Sequence, residues 1–319
     1  MSHFTLDFEK PLKELHERIL HAKSADSSTG IDNSELIKSL ELQLLREKNN
    51  IYTNLNRWQK VEIARHPMRP HSSDYIKNIV KDWFEIHGDR KYSDDKAIIT
   101  GFGYINNVKF AIIGQEKGRN TKDKLKHNFG MSKPEGYRKA LRVMKLAEKF
   151  NLPILSLIDT PGAYPGIGAE ERGQSQAIAD NLFKMSTLEV PIISLVIGEG
   201  ASGGALAIGL ADRIVCLEYS WYSVISPEGC ASILFGDPSF NKDAAEMLKV
   251  NSRDLFDMNI ADKIINEPLG GVHNDENIVF KDVTEVILNE HKYLNSLSKK
   301  KLIEERLTKY NNIGIFSNE

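Results

Sequence analysis

The sequence predicts an α/β fold with a mostly parallel sheet. Three observations carry this expectation: apolar runs of strand length, helical apolar periodicity between them, and Gly/Pro-dense loops at the junctions. Ala97 to Tyr104 and Val108 to Gly114 read as strands joined by Asn106-Asn107, which tolerate the positive φ of a tight hairpin. A helix follows from Pro134 to Phe150, with Pro134 suited to its first turn and Tyr137, Leu141, Met144 and Ala147 on one face. Pro153 to Ile158 reads as a buried strand, followed by a Gly/Pro loop and a helix from about Glu170 to Met185. The unit repeats with a strand from Pro191 to Ile197, a Gly-rich loop and a helix from about Ser202 to Leu210. Arg213 to Leu217 and Tyr222 to Ile225 continue as short strands.

Helical segments flank this core. In residues 1–60, Leu12, Leu15 and Ile19, then Leu36, Leu40, Leu44 and Leu45, recur at helical spacing around a polar break from Ser24 to Asp32. The repeat is too short for a free coiled coil, so paired helices packed on a neighbouring domain or subunit are expected. From Val283 onward the chain reads as charged, helical and peripheral. The division expected is an N-terminal helical region (1–60), a main domain (61–296) and a C-terminal helical tail (297–319).

Composition excludes several function classes. The 319 residues carry a formal net charge of -2, so nothing draws the whole chain to nucleic acid or an anionic membrane. The two cysteines, Cys216 and Cys230, form no Cys-x-x-Cys pair, which argues against a structural zinc site and for a reducing compartment. The N-terminus lacks a secretion signal, and apolar runs such as Val190 to Ile197 fall far short of the ~20 residues that span a bilayer. A soluble protein is expected.

Two glycine loops are the strongest functional signal. Asp159 to Gly168 and Gly198 to Gly209 each leave a buried strand and enter a helix. Ligands of parallel α/β sheets bind off these strand ends, where glycine lets the backbone come close and leaves helix N-terminal amides free. Two such turns aimed at one developing negative charge form an oxyanion hole. Tight turns alone are the plain reading of an isolated glycine, but four such loops at comparable positions ask for more. The third is Ser226 to Ala231, where the Gly229 amide is a candidate donor; the fourth, Glu267 to His273, reads as a surface turn.

The second loop also fits two other patterns. Gly198-x-Gly200-x-x-Gly203, with Glu218 downstream, matches the dinucleotide fingerprint, but its strand is not the first of a nucleotide-binding half. Gly200-x-Ser202-x-Gly204 matches a nucleophile elbow, yet the only downstream histidines, His273 and His291, look badly placed to serve as base. From Lys117 to Lys149 eleven Lys/Arg face three acids, a local balance of +8. The functional reading is a phosphate site or an acidic partner surface, with Arg119, Lys122 and Lys126 the better candidates; the alternative is a solvated helix face.

Several blocks carry a family signature. Gln115-Glu-Lys-Gly-Arg119, Asn128-Phe-Gly-Met131, Pro134 to Ala140, Asp159 to Gly166, Ala169 to Ser175, Gly203 to Gly209 and Tyr222 to Leu234 closely resemble the carboxyltransferase alpha subunits of multi-subunit acetyl-CoA carboxylases. Leu6 to Glu9 and Ala64-Arg-His-Pro67 fit as well, so the resemblance spans nearly the whole chain. It implies a crotonase-like fold of repeated ββα units. The implied reaction moves a carboxyl group from carboxybiotin, on the biotin carboxyl carrier protein, to acetyl-CoA, giving malonyl-CoA for fatty acid synthesis. The implied partners are a beta subunit in an α2β2 assembly, the carrier protein and biotin carboxylase, with zinc only on the beta subunit. The implied setting is the cytoplasm, or the stroma of a plastid.

Carried over by motif, Gly203 and Gly204 become the main oxyanion-stabilising pair, facing the ureido oxygen of biotin. Gly162, Ala163 and Gly229 line the same cavity. Arg119, Lys122, Lys126, Tyr164 and Ser202 are expected to contact carboxybiotin or coenzyme A. Biotin itself can take the acetyl proton, so the lack of a well-placed protein base fits this chemistry. The alternatives are a stand-alone crotonase-like hydratase or a serine hydrolase.

Overall fold

Eight strands form one mixed sheet: β1 (Lys81–Glu85), β2 (Ile98–Ile105), β3 (Val108–Gln115), β4 (Ile154–Thr160), β5 (Ile192–Ala201), β6 (Arg213–Leu217), β7 (Trp221–Ser223) and β8 (Lys263–Ile265). This is a computed structural model, and it describes residues 4–29 and 33–314. The spatial order is β1-β2-β3-β4-β5-β6-β8, with β7 paired to β5. The hairpin is as expected: Ile105 pairs with Val108, and Asn106 takes φ +50° in the turn. From β3 to β6, and on to β8, neighbours are parallel. The strand expected at Tyr222–Ile225 is β7, shorter and shifted one residue back.

Sequence period explains the layers. Ala111 and Ile113 of β3 face one side of the sheet, whereas Phe110 and Ile112 face the other. Ile192 and Val196 of β5 likewise oppose Ile193, Leu195 and Ile197. Because both faces are covered, β4 and β5 are buried throughout and read as continuous apolar runs.

Helices fill both layers. At the N-terminus, α1 (Lys10–Thr29) and α2 (Ser34–Thr53) pair, and Leu15, Ile19 and Leu40 form their seam. The helix runs through the first part of the expected polar break; Gly30 to Asp32 lie outside the described residues. Leu36 and Leu45 are half exposed rather than in the seam. Next come α3 (Arg57–Ala64), α4 (Ser72–Ile79) and a short α5 (Thr121–Lys126). α6 (Pro134–Lys149), α7 (Ile167–Glu171), α8 (Gln174–Thr187) and α9 (Ser202–Gly209) follow, with α6, α8 and α9 on the first face. After α10 (Pro227–Phe235), α11 (Asn241–Leu248) and α12 (Ser252–Asp257), the chain returns to the second face with α13 (Glu276–Leu294).

The C-terminal helices form an outer layer that is firmly tied in. α13 begins before Val283 and buries Val279, Phe280, Val283 and Ile287. On α14 (Lys299–Asn311), the fully buried Arg306 binds both oxygens of Asp212 at 2.8 and 2.9 Å, and donates to the carbonyls of Met185, Leu188 and Val190.

Candidate active site at the strand ends

β5 enters α9 with no loop between them. Ala201 is extended, and Ser202 alone makes the turn at φ +59°, a left-handed conformation that costs an L-residue roughly 1–2 kcal/mol. Gly203 and Gly204 follow in the first turn of α9, where a helix offers its N–H groups no acceptor of its own. Ser202 and Gly203 open onto an apolar cavity of about 280 Å³, walled by Leu206, Tyr222, Val224 and Leu255.

The two glycines differ in their surroundings. A Cβ on Gly204 would lie 2.5 Å from the backbone nitrogen of Ala163 and 2.5 Å from the carbonyl carbon of Gly162. The first glycine turn therefore rests directly on the second. A Cβ on Gly203 would meet only Ile178, at 3.4 Å. Gln115, fully buried at the end of β3, locks the contact: its Nε2 donates to the Gly204 carbonyl at 2.7 Å, and its Oε1 accepts from the Asp159 N–H at 3.0 Å.

Two glycine amides in the neighbouring turns are otherwise engaged. Gly162, at φ +143°, donates its N–H to Thr160 Oγ1 at 3.0 Å. Gly229 donates to Ser226 Oγ at 3.1 Å, because Ser226 caps α10. The Gly229 amide, a candidate donor from the sequence, is therefore already bonded within its own turn, as is that of Gly162. Ala163 keeps its place against Gly204.

Behind these turns lies a chain of alternating charges. Lys117 Nζ sits 2.6 Å from Asp159 Oδ1 and 2.6 Å from Glu199 Oε1. Arg65 Nε sits 2.6 Å from the other oxygen of Glu199, and its Nη1 2.5 Å from Glu228. Burial disfavours the charged form of each group, but the opposite charges win: the Lys117 and Arg65 pKa values are raised and that of Glu199 is lowered. These groups border a second cavity of about 280 Å³, which Arg119, Lys124 and Phe129 also line. Sequence reading passed over Arg65, Gln115, Lys117 and Glu199 as site residues. The signal was an acid inside an apolar glycine turn, which demands a cation from elsewhere.

The remaining expected residues are dispersed. Arg119 lines the polar cavity and pairs with Asp74, whereas Lys122 and Lys126 are exposed on α5 outside it. Much of the basic stretch is structural: Lys139 is buried on Asp94, Arg138 binds Asp89, and Arg142 donates to the carbonyls of His87 and Gly88. Tyr164 is half-buried with its ring against Gly166. Neither downstream histidine serves Ser202. His291 packs edge-on against Phe110 on the sheet face opposite α9, and His273 stacks on His66 with ring centroids 3.8 Å apart. Glu218 accepts from the Glu267 N–H at 2.9 Å, so it tethers the fourth loop.

Residues 5–314 match the family described as "Acetyl co-enzyme A carboxylase carboxyltransferase-like". The chain is 51% identical over 310 residues to the acetyl-coenzyme A carboxylase carboxyl transferase subunit alpha of Flavobacterium johnsoniae, covering 97% of this chain and 98% of that one. It is 50% identical to the protein of the same name from Staphylococcus saprophyticus, covering 98% and 99%. Among solved structures, transcarboxylase 12S with hydrolysed methylmalonyl-coenzyme A superposes with a TM-score of 0.59 at 20% identity, covering 74% of this chain and 45% of that one. A Pseudomonas malonate decarboxylase hetero-tetramer with coenzyme A gives 0.56 at 13%, covering 68% and 86%. At these identities the structural likeness is one of fold, the crotonase-like fold.

Proposed function

The chain belongs to the acetyl co-enzyme A carboxylase carboxyltransferase family, and from that premise we propose how its turns serve the transfer of a carboxyl group from carboxybiotin to acetyl-CoA. The observation that carries the reading is the elbow at Ser202. It sets Ser202 and Gly203, at the start of α9, along an apolar cavity, while Gly204 packs against the backbone of Gly162 and Ala163.

The residues present fit a biotin head group: an apolar wall for the ring, and fixed N–H dipoles for the ureido oxygen. Biotin brings the carboxyl group and the base for the acetyl methyl proton. The chain's own task is then positioning and charge stabilisation by Gly203 and Gly204, with Ala163 beside them. Removing one such donor typically costs about 2.7–4 kcal/mol of transition-state stabilisation. Ser202 acts as the bend of the elbow rather than as a nucleophile, since neither His273 nor His291 stands ready as its base. We assign the thioester half of the site, and its zinc, to a beta subunit in an α2β2 assembly. The carrier protein presents the biotin, and biotin carboxylase supplies it charged. Of the basic trio, Arg119 is the one we place toward coenzyme A phosphates. The setting is the cytoplasm or an equivalent stroma; no described helix is long and apolar enough to cross a membrane.

The test combines the purified chain with its beta subunit, carboxybiotin carrier and acetyl-CoA. Malonyl-CoA is expected only when both subunits are present. Gly203→Val is expected to abolish formation while the complex still assembles, because a side chain there points past Ile178 and leaves the turns in place. Ser202→Ala keeps substantial activity. Turnover by the chain alone, or undiminished turnover by Gly203→Val, would overturn the reading.

A further inference from the structure

Each of the three turns at the strand ends contains one acid. Asp159 opens the first, Glu199 lies in the second, and Glu228 precedes Gly229 in the third. Two cations from distant parts of the sequence bridge consecutive members: Lys117 joins Asp159 to Glu199, and Arg65 joins Glu199 to Glu228. Charges therefore alternate across all three turns, with Asp159 3% and Glu199 6% exposed. The Glu199 N–H also donates to Asp159 Oδ1 at 3.1 Å, so the acids are linked by backbone as well. Arg65 is itself held by two aromatic faces, 5.8 Å from the Trp58 centroid and 5.6 Å from that of Trp221.

We infer that Lys117 and Arg65 are positioning residues, which set the register of the three turns and so the aim of the amides at Ala163 and Gly203 in the first two. Buried ion pairs are a weak source of net stability, whereas fixing one arrangement among similar ones is their best-attested use. The arrangement here has that form. Asp159 and Glu199 each sit within a few residues of a candidate amide, Ala163 and Gly203, while the partly exposed Glu228 ties in the turn that Ser226 caps. Lys117 governs turns one and two, and Arg65 governs turns two and three. Arg65's planar fork reaches both Glu199 and Glu228, so a lysine in its place keeps the charge and loses one bridge. The inference rests on the carboxyl-transfer reading for its consequence, but not for its geometry.

The experiment uses the chain assembled with its beta subunit and compares wild type, Lys117→Met and Arg65→Lys. Hydrogen exchange is followed over 160–166, 199–206 and 226–232, alongside kcat and KM for malonyl-CoA formation. Lys117→Met is expected to speed exchange in the first two segments and spare the third. Arg65→Lys is expected to speed it in the last two and spare the first. In both, kcat falls about 10- to 100-fold while KM for acetyl-CoA stays within about twofold, the mark of misaimed rather than missing contacts. Exchange that rises evenly across the sheet, or an unchanged kcat beside a segment-specific rise, overturns the inference. If Lys117→Met does not fold, Arg65→Lys decides alone through its silent first segment. If the wild-type complex makes no malonyl-CoA, the carboxyl-transfer reading fails, while the exchange pattern still judges the register.

Discussion

Adding one methyl group at Gly204 is the sharpest perturbation the structure offers. Its Cβ would sit 2.5 Å from two backbone atoms of the neighbouring turn, where ordinary contact begins at 3.4 Å, so the turns must part by 0.9 Å. Neither side yields easily, because Gln115 clamps both through its amide. Overpacking of this kind costs about 1–3 kcal/mol, with the upper half expected where backbone meets backbone. A shift near 1 Å at reacting groups lowers a rate by about 10²-fold. Gly204→Ala should therefore lower kcat by about two orders of magnitude and the melting temperature by several degrees, roughly 2 °C for each kcal/mol. Gly203→Ala is the control: its Cβ meets only the end of Ile178 at 3.4 Å, so stability and kcat stay within about 0.5 kcal/mol of wild type. Steady-state malonyl-CoA formation by the reconstituted complex and thermal denaturation of each variant measure both effects. Equal behaviour of the two alanines would refute the claim that one turn rests on the other.

Three further outcomes follow from the same structure. Ser202→Gly relieves a left-handed residue at φ +59° and should raise stability by up to about 1 kcal/mol with kcat little changed; a lower melting temperature would contradict this. Arg306→Met strips Asp212 of its partner and three carbonyls of their donor, so a loss of about 3–5 kcal/mol is expected in urea denaturation. Burial pushes the Glu116 carboxyl up, but His71 and the N–H groups of Gly118 and Ser73 outweigh it and hold the pKa at about 2, below the ordinary 4.5. A depressed carboxyl stabilises the fold fully above its unfolded pKa and loses that contribution as pH falls through the folded one. The stability gap between wild type and Glu116→Gln, on the order of 3 kcal/mol near neutrality, should accordingly close between pH 4.5 and 2. A gap that does not change with pH would refute it.

What could be read from the sequence divides by range. The hairpin, the buried strands β4 and β5 and the helices α6 and α9 follow from local period and turn chemistry and stand where that chemistry put them. The single helix expected from about Glu170 to Met185 is instead two, α7 and α8, because the chain turns left-handed at Gly173, φ +80°. The glycine turns were legible for the same reason. β1 and β8 were not: β1 is a largely exposed edge strand without alternation, and β8 is only three residues long. Ser24 to Thr29 read as a break because serines and aspartate favour turns, yet the helix continues through them. The +8 stretch misled because sequence shows charge but not its partners; Asp89 and Asp94 are near in space and distant along the chain. For the same reason the bridges made by Arg65 and Lys117 were invisible, although both residues sat inside blocks already singled out.

The direct junction of β5 with α9 has one more consequence. Ten residues of strand, one left-handed residue and a buried helix leave no hinge between the sheet and the amides it presents. A target so rigid cannot reach for a moving reactant. Under the function proposed above, the travel needed to carry a carboxyl group from where it is loaded to where it is delivered would then belong to the tethered arm and its carrier, with this subunit the fixed point that they visit.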